Sequence, residues 1–553
     1  NTLETILDGV FMLRETTIKT ISKISSFGEI LSSNIIFEIF KENNLDVSLL
    51  DSRQVIKTKR YNNKDILDWE LTKKNTIQYY KNISSQITLL PGFISSNNKG
   101  DTTTLGRGGS DLTSSIIANI LNADILEIWT DVSGMFTANP KLVSQANPIQ
   151  KLSYFEAMEL SHFGAKVIYP PTLQPLIEKN IPVLIKNTFR PNDEGTLIDS
   201  KTTKNNQVVK GISHIDDVSL LSLEGTGMIG IPGISKRLFE VLSKKNINII
   251  MITQASSEQS ICIGVKTMDS DKAKNLIDQE FEFEISSQKI KPTILEKRLV
   301  NVAVVGDNMK NHQGISGKIF SSLGANNVNI RAIAQGSSER NISIIINKKD
   351  CNKALNTLHE RFFEENIKEI NLFIIGVGNV GGKLLEQINN QVDYLKKFLK
   401  LRIRVISIAN SKKMILGKEP LNLKTWKSEL SNGEITDVNK FYEHTKKLNL
   451  RNSLFIDNTA DENISFEYSR YLNNNIGVVT CNKIACADSY KNYLKLKNLS
   501  RKYNSPFLFE TNVGAGLPII YTLNTLIASR DPIIKIEAVL SRRLNCIFNN
   551  LNN

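Results

Sequence analysis

At 553 residues the chain is too long for one hydrophobic core, and about three or four domains are expected. A composition of 41% hydrophobic and 23% charged residues is that of an ordinary globular protein; no run approaches the ~20 apolar residues that span a bilayer, so no membrane partner is expected. The net charge of +13 would suit nucleic acid, but the lysines and arginines are scattered over polar faces and loops, which argues against a nucleic-acid partner.

Residues 1–205 alternate helical and strand patterns. Leu112, Ile116, Ile117, Ile120 and Leu121 share one helical face, predicting a helix opened by Gly106-Arg107-Gly108-Gly109-Ser110-Asp111. Free N–H groups and the positive dipole end make a helix N-terminus attractive to anions, and glycine permits close approach; the same run is also a good plain turn. An apolar strand, Ile125 to Trp129, ends in Thr130-Asp131 before a Ser133-Gly134 turn, which puts both polar residues where open α/β sheets bind ligands. A helix carrying Phe155, Met158, Glu159 and Leu160 then runs into Phe163-Gly164-Ala165-Lys166-Val167, where Lys166 could reach a phosphate.

Together with Phe27-Gly28-Glu29-Ile30-Leu31-Ser32, these segments in this order resemble aspartate kinase, of the amino-acid kinase fold. The resemblance implies that Glu29 and Arg107 contact the L-aspartate substrate and that Ser110 and Asp111 belong to its binding turn. It likewise implies that Thr130, Asp131 and Lys166 line the site for ATP, taken with Mg²⁺. The chain departs from the family at Ser133, usually Asp, at Asn139-Pro140-Lys141, usually Asp-Pro-Arg, and at Tyr169-Pro170-Pro171, usually His-Pro-Arg. The family's Lys-Phe-Gly-Gly-Thr-Ser loop has no counterpart and the chain begins with Asn, so this region reads as N-terminally incomplete. Phosphoryl transfer rests on positioning and charge stabilisation, and loss of that lysine would remove most of the rate.

Residues 206–365 contain a repeat. Ile252-Thr253-Gln254-Ala255-Ser256-Ser257-Glu258 is echoed by Ile333-Ala334-Gln335-Gly336-Ser337-Ser338-Glu339, each preceded by a Gly-Ile-Ser turn at Gly233 and Gly314. An apolar strand, a helix, a strand, the Gln-x-Ser-Ser-Glu loop and a second apolar strand give a β-α-β-β frame twice. Short polar side chains also shape turns without any ligand. The two units resemble ACT domains, small-molecule sensors of amino-acid biosynthesis. That resemblance implies threonine as effector, Gln254 and Gln335 as its contacts, and a homo-oligomer, dimer or tetramer, built through the sensor.

From about residue 366 a buried-strand run, Ile370 to Ile375, leads into Gly376-Val377-Gly378-Asn379-Val380-Gly381 and a helix through Lys383 to Ile388. Strand before and helix after is the context that makes this glycine pattern a dinucleotide turn. The next strand, Ile403 to Ile408, ends in Ala409-Asn410-Ser411-Lys412-Lys413; with no acid to grip a ribose hydroxyl, Lys412 and Lys413 favour a 2′-phosphate and so NADP over NAD. Later strands end in Asp457-Asn458-Thr459 and Cys481-Asn482-Lys483, followed by Glu510-Thr511-Asn512-Val513-Gly514-Ala515-Gly516-Leu517-Pro518. These motifs resemble homoserine dehydrogenase. The resemblance implies that Thr459 and Lys483 touch the nicotinamide side, Lys483 being the catalytic candidate. It also implies that Glu510 and the backbone of Val513, Ala515 and Leu517 hold a monovalent cation, Na⁺ or K⁺; hard cations take carboxylate and carbonyl oxygens.

The five cysteines are few and odd in number, Cys481 and Cys486 lack the C-x-x-C spacing, and the five histidines are dispersed, so no metal cage is visible and a reducing, cytoplasmic setting fits. The fold expected is multidomain α/β: a kinase-like domain over 1–205, tandem βαββ regulatory domains over 206–365, a Rossmann domain over 366–500, and the start of a dehydrogenase substrate domain over 501–553. The last departs at Ser541-Arg542-Arg543, where the family has glycine at Arg542. Two readings stay open: part of an active enzyme that phosphorylates L-aspartate and reduces aspartate semialdehyde to L-homoserine under threonine control, or a decayed fragment that keeps only effector or NADP binding. The coding sequence on either side of the chain separates them.

Overall fold

The computed structural model describes residues 2–61, 64–164, 167–200, 207–254, 259–336, 340–363 and 368–537. Among these no helix is long and apolar enough to cross a membrane. The chain forms two compact units, Asn1–Ile315 with Ile330–Lys348, and Ser316–Asn329 with Lys349–Asn553.

In the first unit the predicted helix runs Gly109–Leu121, entered through left-handed Gly108 (φ +67) and left through left-handed Asn122 (φ +53). Its face of Ile116 and Ile120 packs on Leu50, Val55 and Ile56. A four-stranded sheet, Leu126–Thr130, Val183–Asn187, Thr196–Asp199 and Lys151–Ser153 in spatial order, encloses a second core with Leu152, Leu160, Ile185 and Ile198. Ala303 and Val305, from the repeat region, belong to that same core. Burial of such side chains at ~25 cal/mol per Å² is what joins the two regions.

The repeat builds one antiparallel sheet in the order Ile249–Gln254, Ser260–Lys266, Gly211–Glu224, Ile294–Val305, Asn341–Asn347, Ile330–Gln335. The two copies meet where Gly211–Glu224 pairs with Ile294–Val305, Gly211 opposite Val305. Each copy also carries a second helix beyond the predicted frame, Ser270–Glu280 and Cys351–Phe363. Met251 and Ala332, from the two edge strands, share an apolar cluster with Val218, Leu220, Leu299 and Ile345, so the sheet curls until its edges face each other.

The second unit holds a seven-stranded sheet. Strand Lys368–Ile375 pairs in parallel with Leu401–Ala409 on one side and Ser453–Asp457 on the other, and Gly477–Thr480 and Phe507–Leu508 continue the parallel run. Strand order therefore reverses at Lys368–Ile375, the position where doubly wound sheets bind dinucleotides. Apolar clusters cover both faces, one built on Ile374, Leu385 and Ile408, the other on Phe373, Phe455 and Tyr468.

Candidate functional sites

In the kinase-like region, Arg107 and Ser110 are exposed in the glycine turn, and Asp111 occupies the first helical turn, where burial raises its carboxyl above the ordinary range. Gly108 needs its glycine twice: its φ is +67, and a Cβ there would lie 2.5 Å from Tyr169. The Tyr169-Pro170-Pro171 segment thus closes directly over the turn. Gly92 presses from the other side, with a hypothetical Cβ 2.7 Å from the Ser110 backbone. Sequence reasoning missed this Pro91-Gly92-Phe93 wall, although Pro-Gly after an apolar strand is a visible turn signal. Glu29 lies half-buried inside the helix Ile18–Glu42, which packs beside strand Thr102–Thr104, the strand that enters the turn.

Thr130 and Asp131 stand at the carboxyl end of Leu126–Thr130, as expected, with the Thr130 hydroxyl 3.2 Å from the Asp131 carboxylate. Ser133, where the family has Asp, donates to the Asp193 carboxylate at 2.5 Å and accepts from Asn187 Nδ2 at 2.9 Å. Lys166 lies outside the described residues.

The helix leading toward Lys166, Tyr154–His162, is held by the repeat region. Glu156 closes its capping box by accepting the Ser153 N–H at 2.9 Å and also accepts the Asp307 N–H at 3.0 Å. Asp307 in turn receives the Ser153 hydroxyl. Arg340, which follows the second Gln-x-Ser-Ser-Glu loop, lies 3.9 Å over the Phe155 ring, and the amide of Asn341 donates to Glu159 at 2.6 Å. At the far end Gly164 (φ +113) abuts the His214 carbonyl, which a Cβ would meet at 2.0 Å.

In the repeat region Gln254 and Gln335 end the two edge strands. Gln254 lines a cavity of about 470 Å³ together with Met228, Gly230, Pro232, Gly233 and Ser235. Ala255–Glu258 and Ser337–Glu339, the remainder of both loops apart from Gly336, fall outside the described residues.

In the Rossmann region the glycine turn has the geometry that the motif demands. Gly376 takes φ +95 against Asn458, and a Cβ on Gly381 would lie 2.0 Å from the Gly376 carbonyl, so the helix Asn379–Phe398 packs flush on the turn. Nothing lies within 4 Å of a Cβ on Gly378, and Gly378, Asn379 and Val380 are exposed while Val377 is buried. The helix begins at Asn379, earlier than Lys383, because the turn feeds it without a break. Ala409 accepts the Gly376 N–H at 2.8 Å, fixing the turn to the next strand. Beyond Ala409 the Asn410 side chain accepts the N–H groups of Lys412 and Lys413 at 2.8 and 2.7 Å. Lys413 then donates to the Gly433 carbonyl at 2.9 Å, whereas Lys412 is exposed.

Thr459 sits against Gly376, its methyl 2.9 Å from that glycine's hypothetical Cβ. Lys483 is exposed, just before the short helix Ile484–Ala487. Both Glu510 carboxylate oxygens are engaged: they accept the N–H groups of Ile520 and Tyr521, each at 2.9 Å, and so cap the helix Ile519–Ala528. The Leu517 carbonyl accepts from Ile519 at 2.9 Å, and Ala515 takes a left-handed φ of +54. Each of these oxygens keeps a second lone pair, and carboxylate and carbonyl oxygens are the donors that hard cations take. The Arg542 departure lies outside the described residues.

Comparison with known proteins follows the same division. Residues 8–187 match the amino acid kinase family, residues 221–281 and 302–362 each match the ACT domain, and residues 376–510 match the NAD binding domain of homoserine dehydrogenase. The bifunctional aspartokinase/homoserine dehydrogenase of Haemophilus influenzae is 40% identical over 467 residues, which cover 84% of this chain and 57% of that protein. Its counterpart from Buchnera aphidicola is 36% identical over 564 residues, covering 100% of this chain and 67% of the relative. Escherichia coli aspartokinase III, crystallised with aspartate and ADP, is similar at a TM-score of 0.55 and 29% identity, over 66% of this chain and 81% of that one. The chain therefore spans roughly three-fifths of the bifunctional relatives, from the kinase region into the NAD-binding region. It belongs to the bifunctional aspartokinase/homoserine dehydrogenase family.

Proposed function

We propose that this chain serves a bifunctional enzyme that phosphorylates the side-chain carboxylate of L-aspartate with ATP and Mg²⁺ and reduces aspartate semialdehyde to L-homoserine with NADPH. Threonine is the feedback effector, the setting is cytoplasmic, and the assembly is a homo-oligomer. The observation that carries the reading is the glycine turn at the reversal of strand order, with open space above Gly378 and the Thr459 and Lys483 loops following the carboxyl ends of parallel strands of the same sheet.

The reduced nicotinamide, when bound, supplies the hydride. The chain's own part is to orient. The N–H groups at the start of Asn379–Phe398 favour the pyrophosphate; Lys412, whose side chain is exposed, suits a 2′-phosphate; Thr459 and Lys483 flank the nicotinamide end. In the kinase region, Arg107 and Glu29 suit the charged groups of aspartate, and Thr130 and Asp131 suit the nucleotide. The test is to titrate the purified chain with NADPH and to assay it with aspartate semialdehyde and, separately, with L-aspartate and ATP. NADPH binding with both turnovers supports the bifunctional reading. NADPH binding without turnover leaves the effector-and-cofactor reading, and no NADPH binding removes the dehydrogenase assignment.

A further inference from the structure

Beneath the Thr459 and Lys483 loops lies a closed hydrogen-bond network that no part of the motif requires. Its centre is Asp457, fully buried at the end of strand Ser453–Asp457. One carboxylate oxygen accepts the Thr459 N–H at 2.7 Å. The other accepts the Tyr468 hydroxyl at 2.6 Å and Asn482 Nδ2 at 3.1 Å. Tyr468 is itself fully buried, on the helix Tyr468–Asn473.

The proton accounting gives the network a direction. The single Tyr468 proton goes to the carboxylate, so at 2.7 Å the Tyr468 oxygen accepts from the Thr480 hydroxyl. Thr480 Oγ1, its proton so used, accepts the Asn482 N–H at 2.8 Å. Asn482 then reaches outward on three sides: its Nδ2 donates to the Asp461 carbonyl at 2.9 Å, its Oδ1 accepts the Ile484 N–H at 3.1 Å, and its carbonyl accepts Asn512 Nδ2 at 3.2 Å. Removing the Tyr468 hydroxyl therefore leaves that carboxylate oxygen with Asn482 Nδ2 alone and turns the Thr480 hydroxyl to longer contacts, the Asp457 and Asn482 carbonyls at 3.3 and 3.4 Å. Polar groups buried in this way are costly to leave unmet, and satisfied networks rigidify what they hold.

We propose that Tyr468 is a positioning residue of the dinucleotide site: through Asp457 and Thr480 its hydroxyl fixes the two loops that present Thr459 and Lys483 to the nicotinamide. The proposal rests on the dinucleotide reading above. Tyr471, on the same helix and equally buried, supplies the control, because its hydroxyl has no hydrogen-bond partner among the described residues.

The experiment compares two ligands on the whole chain, NADPH and adenosine 2′,5′-bisphosphate, which lacks the nicotinamide. Tyr468→Phe is expected to raise the Kd for NADPH about tenfold and to abolish the blue shift of nicotinamide emission on binding, with the bisphosphate Kd unchanged. Tyr471→Phe is expected to change neither ligand. Thr480→Val, of matching shape, reproduces the Tyr468→Phe split and serves if the tyrosine variant does not fold. Equal loss of both ligands, or no loss of either, in the folded variant overturns the proposal and assigns the network to structure alone. A wild-type chain that binds neither ligand overturns the dinucleotide reading itself, a result distinguishable because the variant is not needed to see it.

Discussion

The guanidinium of Arg451 lies 2.9 Å from the carboxylate of Glu369, and both side chains are more than nine-tenths buried. Arg451 precedes strand Ser453–Asp457 and Glu369 begins the neighbouring Lys368–Ile375, so the pair clamps the amino ends of the two central strands. Arg402 and Arg404 add contacts to Glu369 at 3.2 and 3.6 Å, and Glu360, from the helix Cys351–Phe363, reaches Arg451 at 3.1 Å. Arg451 also donates to the Asn356 carbonyl of that helix. A buried charge that loses its partner is far costlier than an exposed one. Arg451→Met is expected to destabilise this unit by about 3–5 kcal/mol, measured by urea unfolding, because Glu369 loses its one deeply buried cation and keeps only the more exposed Arg402 and Arg404. Burial alone would raise the Glu369 carboxyl, but the charges of Arg451 and Arg404 and the hydrogen bonds from Arg402 and Arg451 outweigh it and hold it below its ordinary value. A lowered folded value means stability that is complete above the unfolded glutamate pKa of ~4.3 and is lost as pH falls below it. Acid titration of unfolding should show that loss in the wild type and a flatter profile in Glu369→Gln.

Two glycines of one motif should fail differently. Gly378→Ala adds a methyl to open space at a φ of −76, so stability should change by less than ~1 kcal/mol while dinucleotide affinity falls at least tenfold. Gly381→Ala drives a methyl into the Gly376 carbonyl at 2.0 Å and should cost about 1–3 kcal/mol of stability. Thermal unfolding with and without NADPH separates the two effects; equal stability in both variants would show that the turn tolerates what its geometry forbids.

Lys412 and Lys413 are adjacent yet predicted to differ. Lys412→Glu should reduce the preference for NADPH over NADH by about tenfold, as a cation facing a 2′-phosphate becomes an anion. Lys413→Gln, which removes a charge already spent on the Gly433 carbonyl, should leave that ratio within about twofold. Paired Kd measurements for the two cofactors decide it.

Threonine at about 100 times its Kd should stabilise the chain by roughly 2.7 kcal/mol, seen as a rise in melting temperature. Changing both Gln254 and Gln335 to Ala should abolish the rise. An undiminished shift in the double variant would take both glutamines out of the site, and a shift retained by either single variant would say which sheet edge carries it.

Much of this was legible in the chain because it is local. The glycine turn at Gly376–Gly381 stands between an apolar strand and a helix, and all three signals fall within one short stretch of sequence. The repeat was readable because two copies of a loop compare directly, whatever surrounds them. Alternation and helical spacing likewise located Gly109–Leu121 and the parallel strands to within a few residues.

The rest depended on partners distant in sequence. Nothing in the repeat says that Gly211–Glu224 will pair with Ile294–Val305, or that Met251 and Ala332 will meet across the curled sheet. The helix Ser270–Glu280 escaped notice because it presents only Ala273 and Ile277 as buried apolar positions, too few for a periodic signal. The two halves of the Lys412-Lys413 pair were indistinguishable until the fold brought Gly433 to one of them. Asp457, read as the end of a strand, became the centre of a network only when Tyr468, Thr480 and Asn482 closed around it. Sequence by itself determined the order of the regions and the local turns, since propensity and periodicity act over a few residues. Tertiary structure decided which polar side chains are buried together, since each must find its donor or acceptor in space, and proximity in space leaves no mark on spacing in the chain.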